Sequence, residues 1–135
     1  MAITYTSANK ILDHSLGLTG YTPPSTWYYG LSTTTIGIDG TGETEPSGGS
    51  YARVAVTNNK TNFGTSSNGS LTNDVSVEFP ESTASWGTIT YVFLADAASA
   101  GNIYFFEALP VAKTVQDDTT VLFAVAALTF TMSNS

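Results

Sequence analysis

The sequence contains no cysteine and only one histidine, His14. Without cysteine the chain has no disulfide bond, no thiolate zinc site and no cysteine nucleophile. A single histidine does not build a catalytic triad or a histidine metal site without acidic or serine partners close to it. We therefore expect His14 to be a surface residue of a helix, and we predict a protein that is not an enzyme and needs no cofactor.

Positive charge is also scarce. Lysine and arginine occur four times, against eleven aspartate and glutamate residues, which gives a net charge of −7. So few cations cannot neutralise a nucleic-acid backbone, and a negative surface is repelled by anionic membranes. No apolar run reaches the ~20 residues that span a bilayer, and no secretory signal pattern opens the chain. We predict a chain that is soluble when made and makes no direct contact with nucleic acid or membrane.

Charged residues of both signs make up only 11% of the chain, whereas hydrophobic residues make up 41%. A typical soluble domain carries roughly 25% charged residues. The surface is therefore expected to consist mainly of neutral polar residues. Because the chain also contains seven Phe, seven Tyr and two Trp, part of its apolar surface is predicted to be covered by another chain. The alternative is a neutral-surfaced secreted domain.

A short amphipathic helix is predicted near the N-terminus, capped by Ser7 and ended by Gly17. Its apolar face consists of Ala8, Ile11, Leu12 and Leu16. At 135 residues the chain fits one core. We predict a helical arm over residues 1–20 and a β-sandwich domain over residues 21–135.

Alternating and aromatic segments separated by turn residues predict about seven strands over the rest of the chain. The segments include residues 27–32, 51–57, 75–79, 86–94, 103–109 and 121–132. In the segment 86–94, Ile89, Tyr91 and Phe93 are expected on one face, and Val92 and Leu94 on the other, so that both faces are covered. The pattern predicts an all-β fold, a single antiparallel β-sandwich with one short N-terminal helix.

Two polar loops, residues 33–50 and 58–73, exceed the usual connection of ~4–6 residues. In the first loop Asp39, Glu43 and Glu45 supply carboxylates, the ligand type that calcium prefers. The loop departs from the EF-hand pattern, with Thr41 where Asp or Asn is expected and Ser50 at the twelfth position. A solvated acidic loop is the favoured interpretation, and no carboxylate pair of the kind that glycoside hydrolysis needs is singled out.

Aromatic residues gather at positions 27–29 and 104–106, and Trp86 lies between these segments. The residues are Trp27, Tyr28, Tyr29, Trp86, Tyr104, Phe105 and Phe106. They are expected to pack in the core, with outward rings at a subunit interface; a sugar-stacking platform is the alternative. Arg53 is predicted to pair with Glu78 or another carboxylate across the sheet. The residues predicted to contact a partner are Ile11, Leu12, Leu16, Trp27, Tyr28, Tyr29, Asp39, Glu43, Glu45 and Phe63.

Ordered blocks of sequence extend over nearly the whole chain. The blocks are Asn9-Lys10-Ile11-Leu12-Asp13-His14, Trp27-Tyr28-Tyr29-Gly30-Leu31-Ser32-Thr33-Thr34, Glu45-Pro46-Ser47-Gly48-Gly49-Ser50-Tyr51-Ala52-Arg53-Val54-Ala55-Val56, Val77-Glu78-Phe79-Pro80, Ser85-Trp86-Gly87-Thr88-Ile89-Thr90, Ala95-Asp96-Ala97-Ala98-Ser99-Ala100-Gly101-Asn102 and Ala108-Leu109. In this order they resemble the small virion proteins of tailed bacteriophages, which are variously described as minor capsid, head-decoration or tail fibre proteins.

The resemblance implies a β-sandwich, often jelly-roll-like, that is made in the host cytoplasm and built into the virion in many copies. Its partners would be the major capsid protein or another virion protein, with homo-oligomers in the assembled particle. The predicted function is capsid decoration, in which a cement protein bridges major capsid subunits through its N-terminal segment and long loops. The sequence shows no collagen-like or coiled-coil stalk. A tail fibre or tail-tip receptor-binding protein is therefore the alternative, and a carbohydrate-binding module is the second alternative.

Overall fold

The computed structural model describes residues 1–132, which contain nine strands and one helix. In chain order they are β1 (Ala2–Ile3), α1 (Tyr5–Ser15), β2 (Thr26–Ser32), β3 (Val54–Thr57), β4 (Ser70–Thr72), β5 (Val77–Glu78), β6 (Gly87–Ala95), β7 (Ile103–Val115), β8 (Leu122–Phe123) and β9 (Thr129–Thr131). The polar segment between β2 and β3 is a long connection, as the sequence predicts. The second predicted loop, residues 58–73, is shorter than predicted, because β4 lies within it.

The strands form one large sheet and two small ones. The large sheet has the order β1-β7-β6-β2-β3, and the small sheets pair β4 with β9 and β5 with β8. All of these pairs are antiparallel. The main core contains Leu31 and Val92 from the large sheet together with Val77 and Phe130 from the small sheets, so it lies between them. The predicted all-β, antiparallel, sandwich-like fold with one short helix is confirmed.

Strand β2 shows the alternation that a sheet with one core face requires. Trp27, Tyr29 and Leu31 are buried in the main core, with exposed fractions of 7%, 0% and 0%. Gly30 faces the other way, where a Cβ atom would lie 2.2 Å from Cζ of Phe93. Glycine at this position therefore lets the Phe93 ring of the neighbouring strand lie directly against the β2 backbone.

Strand β6 is covered on both faces, which confirms the prediction from its continuous apolar run. Val92 and Leu94 lie in the main core, while Phe93 packs with Ile36 in a second cluster on the opposite face. The prediction that Ile89 shares the face of Phe93 is wrong, because Ile89 is in the main core with Val92. A register shift directly after Ile89 breaks the simple alternation.

The N-terminal helix begins one residue after Thr4, and the predicted cap at Ser7 is wrong. Thr4 has extended backbone angles, and its Oγ1 accepts a hydrogen bond from the Ser7 amide at 3.4 Å. The same hydroxyl donates to the Ile103 carbonyl at 2.7 Å. Because β1 also pairs with β7, the start of the chain is part of the large sheet. The predicted boundary at residue 20 between a helical arm and a sandwich domain stays a prediction. Residues 133–135 of the predicted domain lie outside the described residues.

The single long strand predicted over residues 121–132 is wrong. Two short strands, β8 and β9, are separated by a turn in which the Ala127 amide donates to the Ala124 carbonyl. The buried Asn73 side chain holds this turn, because its Nδ2 donates to the Ala124 carbonyl and its Oδ1 accepts from the Leu128 amide. Satisfying a buried amide in this way fixes the turn, and the chain then joins two different small sheets.

Candidate assembly surface

A continuous apolar groove runs beside the small sheet formed by β4 and β9. It consists of two depressions of about 190 and 240 Å³ that share Leu71, Phe105 and Phe130. The first depression is also lined by Trp27, Asn58, Lys60, Phe63 and Leu94, and the second by Ile11, Ser66, Gly69, Ser70, Thr131 and Met132. We call this feature the apolar groove. Lys60 lines the first depression and Ile11 lines the second.

Short strands explain why the groove stays open. Each strand of the β4–β9 pair has only three residues, and their register places Leu71 opposite Phe130. The Phe130 ring packs edge-on against Phe105 of the large sheet, with ring centres 5.3 Å apart, and against Phe63 at 6.1 Å. This small sheet covers only part of the large sheet's core face, so Leu71 and Phe105 remain partly exposed.

Beyond Ile11 along the chain, the helix presents apolar side chains to solvent. Leu12, Leu16 and Leu18 have exposed fractions of 54%, 80% and 89%. The sequence predicts that Ile11, Leu12 and Leu16 share an apolar face, but of these three only Ile11 is partly buried. Residues 12–18, which we call the helix end, therefore form an apolar projection that the rest of the described chain leaves uncovered.

Charge at this surface is sparse and unpaired. Lys60 Nζ donates to the Gly64 carbonyl at 3.0 Å, and no ion pair within residues 1–132 involves Lys60. Asp13, on the helix end, likewise takes part in no ion pair there, and it is exposed. Lys60 and Asp13 thus carry charges of opposite sign, each without an ion-pair partner in the described residues.

The predicted partner residues fall into four groups. Ile11, Trp27 and Phe63 line the apolar groove, although Trp27 and Phe63 are largely buried. Tyr29 is fully buried in the core, and Tyr28 is partly exposed on the other face of β2. The remaining residues are Leu12 and Leu16 on the helix end, and Asp39, Glu43 and Glu45 in the loop between β2 and β3. The structure thus brings three of them together at one surface.

The three loop carboxylates do not converge on a metal site. Asp39 Oδ1 accepts from the Thr41 hydroxyl at 2.9 Å and the Thr41 amide at 3.1 Å. These hydrogen bonds lower the pKa of Asp39. Glu43 is exposed, whereas Glu45 is engaged by Arg53. Within the described range no three His, Cys, Asp or Glu residues are grouped closely enough to hold a metal ion.

Arg53 is the centre of a polar cluster on the opposite face from the main core. Its Nε and Nη2 donate to the two carboxylate oxygens of Glu45, each at 2.9 Å. Its Nη1 donates to the carbonyls of Ala97 and Ala100, and the guanidinium lies 5.1 Å from the centre of the Phe93 ring. The sequence predicts Glu78 or another carboxylate across the sheet as the partner of Arg53; the partner is another carboxylate, Glu45, which comes from the loop between β2 and β3.

Tyr51 connects this cluster to β2. Its hydroxyl donates to Glu45 Oε1 at 2.7 Å and accepts from the Leu31 amide at 2.9 Å. Burial, together with the Glu45 carboxylate, raises the pKa of Tyr51. Burial alone would lower the pKa of Arg53, but the hydrogen bonds and charge of Glu45 outweigh it, so the pKa of the guanidinium is raised. We call Glu45, Tyr51 and Arg53 the Arg53 staple.

Sequence reasoning missed several groove residues. Leu71 lies in a segment predicted to be a polar loop, and Phe130 and Met132 lie in a predicted strand with no assigned partner. A usable signal was present: Phe63 and Leu71 are the only large apolar residues between positions 58 and 73. Isolated apolar residues in a long polar segment indicate points at which the loop returns to the core.

Comparison with known proteins places the chain in a family. A family model described as Podophage GP4 fiber I protein gp80 matches residues 2–131. A search of curated proteins finds no match to the chain. None of the helices in the described residues has the length and hydrophobicity to cross a membrane. Because this family model matches nearly the entire chain, the protein belongs to the Podophage GP4 fiber I protein gp80 family, a family of bacteriophage virion structural proteins.

Proposed function

We propose that this chain is a structural subunit of a podophage fibre and that its apolar groove and helix end hold it in the assembled virion. The observation that carries the proposal is the family match over residues 2–131. The function is one of assembly, with no catalytic step assigned to any residue.

The distribution of apolar surface supports an assembly function. Apolar surface exposed to water is unfavourable by roughly 25 cal/mol per Å², and its burial at a subunit contact recovers that free energy. Leu16 and Leu18 are among the most exposed large apolar residues of the described chain, and Met132 at the groove is 44% exposed. Large contiguous apolar patches on soluble proteins mark interaction sites.

Capsid decoration is the second candidate. It is favoured by the form of the described chain, whose one helix has 11 residues and whose nine strands build a sandwich instead of a stalk. Such a module suits attachment to an existing surface as well as insertion into a fibre. The two functions share the assembly surface and differ in the partner: a fibre protein in the first, the major capsid protein in the second.

Carbohydrate binding has less support from the geometry. A sugar-binding platform requires exposed aromatic faces. Trp27, Tyr29, Trp86 and Tyr104 are at most 7% exposed, so four of the aromatics considered for a platform are core residues. The apolar groove also carries few polar groups that would hydrogen-bond a sugar.

Cryo-electron microscopy of purified virions tests the proposal. The sandwich of residues 1–132 has a recognisable size and sheet arrangement, and we expect its density within a fibre. Density over capsomer junctions would replace the fibre proposal with capsid decoration. Particles from a phage lacking the gene provide the matched control, because the assigned density must disappear from them.

A further inference from the structure

We propose that Asn68 is a site of spontaneous covalent modification. The backbone amide of Gly69 displaces ammonia from the Asn68 side chain, and water then converts the residue to aspartate or isoaspartate. This proposal concerns the chemistry of the chain and goes beyond the proposed function. It holds or fails independently of where the subunit lies in the virion.

Asn68 and Gly69 form the tip of a two-residue hairpin turn. The Ser67 amide donates to the Ser70 carbonyl at 2.8 Å, and the Ser70 amide donates to the Ser67 carbonyl at 3.0 Å. Both central residues have positive φ, 52° for Asn68 and 76° for Gly69. This is the conformation of a type I′ turn, for which Asn-Gly is a preferred pair. Both residues are exposed, and glycine has no side chain to shield its amide nitrogen.

Both reacting groups of this pair are free of hydrogen bonds. Within the described residues no hydrogen bond involves the Asn68 side chain, and the Gly69 amide donates to no acceptor. The Gly69 carbonyl, by contrast, accepts from the Met132 amide at 2.8 Å. Ser67 and Ser70 form only an isolated bridge, so the turn can open without unfolding of the sandwich. Opening permits the backbone rotation that brings the Gly69 nitrogen to the side-chain carbon.

The reaction needs only water and hydroxide. Hydroxide removes the Gly69 amide proton, the nitrogen attacks Cγ of Asn68, and a new C–N bond forms. The bond from Cγ to the side-chain nitrogen breaks, and that nitrogen takes a proton and leaves as ammonia. Water then opens the five-membered ring. Opening at Cγ gives aspartate, and opening at the main-chain carbonyl gives isoaspartate. One water is consumed and one ammonia released, with no oxidation or reduction.

The structure distinguishes this site from a similar pair in the sequence. Asp39 precedes Gly40, and an aspartate before glycine reacts by the same route. The Gly40 amide, however, donates to the Gly37 carbonyl at 2.9 Å. Asp39 Oδ1 accepts from the amide and the hydroxyl of Thr41. Both reacting groups are therefore engaged, and an ionised carboxylate is a poor target for a nucleophile.

The other asparagines lack the combination found at Asn68. None of them is followed by glycine. Asn9 lies within α1, where the helix fixes the backbone. The asparagines whose side chains are held by hydrogen bonds within the chain are Asn58, Asn59, Asn62, Asn73 and Asn102.

The modification changes the rim of the apolar groove. Gly69 lines the second depression together with Met132. The new carboxylate adds a negative charge to a chain whose net charge is −7. Isoaspartate also inserts Cβ into the main chain, so the two-residue turn no longer has the geometry that pairs Ser67 with Ser70. Ageing of the protein therefore alters the surface that we assign to assembly.

Peptide mapping of the folded full chain tests the proposal. The protein is incubated in mildly alkaline buffer made with heavy-oxygen water, and its peptides are followed by mass spectrometry. We expect Asn68 to convert before every other asparagine, with a solvent oxygen in the product and both aspartate and isoaspartate present. The rate should rise by up to about tenfold per unit of pH, because deprotonation of the Gly69 amide precedes the attack.

Gly69→Ala identifies the nucleophile. The added methyl group crowds the attacking nitrogen and should slow the conversion severalfold. Because alanine at this positive φ also strains the turn, the comparison is repeated in urea, where the turn is absent and only the crowding remains. Asn59, which is exposed and followed by lysine, is the internal control. It should convert far more slowly than Asn68 in both proteins.

Asn68→Asp separates the effects of the two products. Aspartate also adopts positive φ, so this variant should keep the turn and the urea midpoint of fresh wild-type protein. Aged wild-type protein should have a lower midpoint, in proportion to its isoaspartate content. Equal midpoints for aged protein and the variant would overturn the predicted change at the groove rim.

Three results would overturn the modification itself. The first is a folded chain in which Asn68 persists while Asn59 converts. The second is aspartate as the sole product, which would indicate direct hydrolysis by water without attack by Gly69. The third is an unchanged rate of conversion for Gly69→Ala in urea.

Discussion

The Arg53 staple and the apolar groove are two regions of one domain that differ in how fully their side chains find partners within the chain. In the staple, both Glu45 oxygens and three guanidinium nitrogens of Arg53 have partners within the chain. In the groove, apolar side chains such as Phe105 and Leu71 are left partly open. The fold therefore satisfies one surface by itself and leaves the other partly open, as the proposed assembly function requires.

The physical cost of each arrangement explains the difference. A buried ion pair must be satisfied within the subunit, since either charge left alone in the fold is strongly destabilising. Partly exposed apolar surface lowers the folding stability of the subunit only slightly per residue, so it can stay uncovered until the subunit is assembled. Substitutions in the staple should therefore change folding stability, whereas substitutions at the groove and helix end should change association.

The largest expected effect is at Trp86, which supports the staple from the core. Its exposed fraction is 4%, its ring packs edge-on against Tyr51 at 5.3 Å, and its Nε1 donates to the Gly49 carbonyl at 2.8 Å. Trp86→Ala should lower the free energy of unfolding by roughly 3–5 kcal/mol because it leaves a cavity in the core and removes the indole hydrogen bond. Urea denaturation measures the change. An unaltered midpoint would show that Trp86 does not anchor the core.

The next effect is at Arg53, whose side chain is only 3% exposed. Arg53→Met should cost about 3 kcal/mol, because it leaves the Glu45 carboxylate without its cation and two carbonyls without a donor. Lys113→Met, at an exposed lysine of β7, is the matched control and should change stability by less than about 0.5 kcal/mol. Equal effects of the two substitutions would mean that the staple contributes nothing beyond a surface charge.

Alkaline pH should lower the stability of the whole domain through its buried tyrosines. The pKa values of Tyr29 and Tyr51 are raised above 10.0, chiefly by burial, and burial raises that of Tyr104 to about 12. A tyrosine with a raised folded pKa stays protonated while the unfolded chain ionises, so its contribution is complete below pH 10 and is lost as pH rises above it. Each such residue steepens the loss by up to about 1.4 kcal/mol per pH unit.

Tyr29→Phe separates one of these contributions. The Tyr29 hydroxyl is buried without a hydrogen-bond partner in the described residues, so the substitution should leave stability unchanged or slightly higher at neutral pH. It should also make the decline above pH 10 shallower. Urea midpoints measured for both proteins across that range give the comparison. A large loss of stability at neutral pH would mean that the hydroxyl has a partner.

The smallest expected effect on folding is at the helix end. Leu16 is 80% exposed, so Leu16→Asp should change the free energy of unfolding of the monomer by no more than about 0.5 kcal/mol. The contrast with Trp86→Ala is the sharpest test of the division between the two regions. A loss of several kcal/mol from Leu16→Asp in dilute protein would show that the helix end is part of the fold.

Much of the sandwich follows from local sequence patterns. The aromatic content and polar flanks of residues 27–32 predict β2, and the apolar run around Val92 predicts a strand covered on both faces; both predictions are confirmed. Local pattern fails where the backbone departs from regularity. The bulge after Ile89 moves that side chain to the other face, and Asn73 stabilises a turn inside an apolar segment.

The assembly surface is harder to predict from the sequence because it depends on contacts between segments that are distant along the chain. Leu71 meets Phe130 only after β4 and β9 have paired, and no local pattern specifies that pairing. The Glu45–Arg53 pair depends in the same way on the loop returning to β2, where the Thr44 amide donates to Ser32 Oγ at 3.0 Å. Sequence predicted a carboxylate partner for Arg53, but the fold selects which carboxylate is within reach.

Methionine oxidation in intact virions tests the central claim that the groove face is covered in the particle. Met132 at the groove is 44% exposed, and Met1 in the core is 8% exposed and provides an internal reference. Mass spectrometry would compare virions with dilute Leu16→Asp protein. We predict that Met132 is oxidised readily in that protein but is protected in the virion to nearly the level of Met1. Oxidation of Met132 at the same rate in both would contradict it.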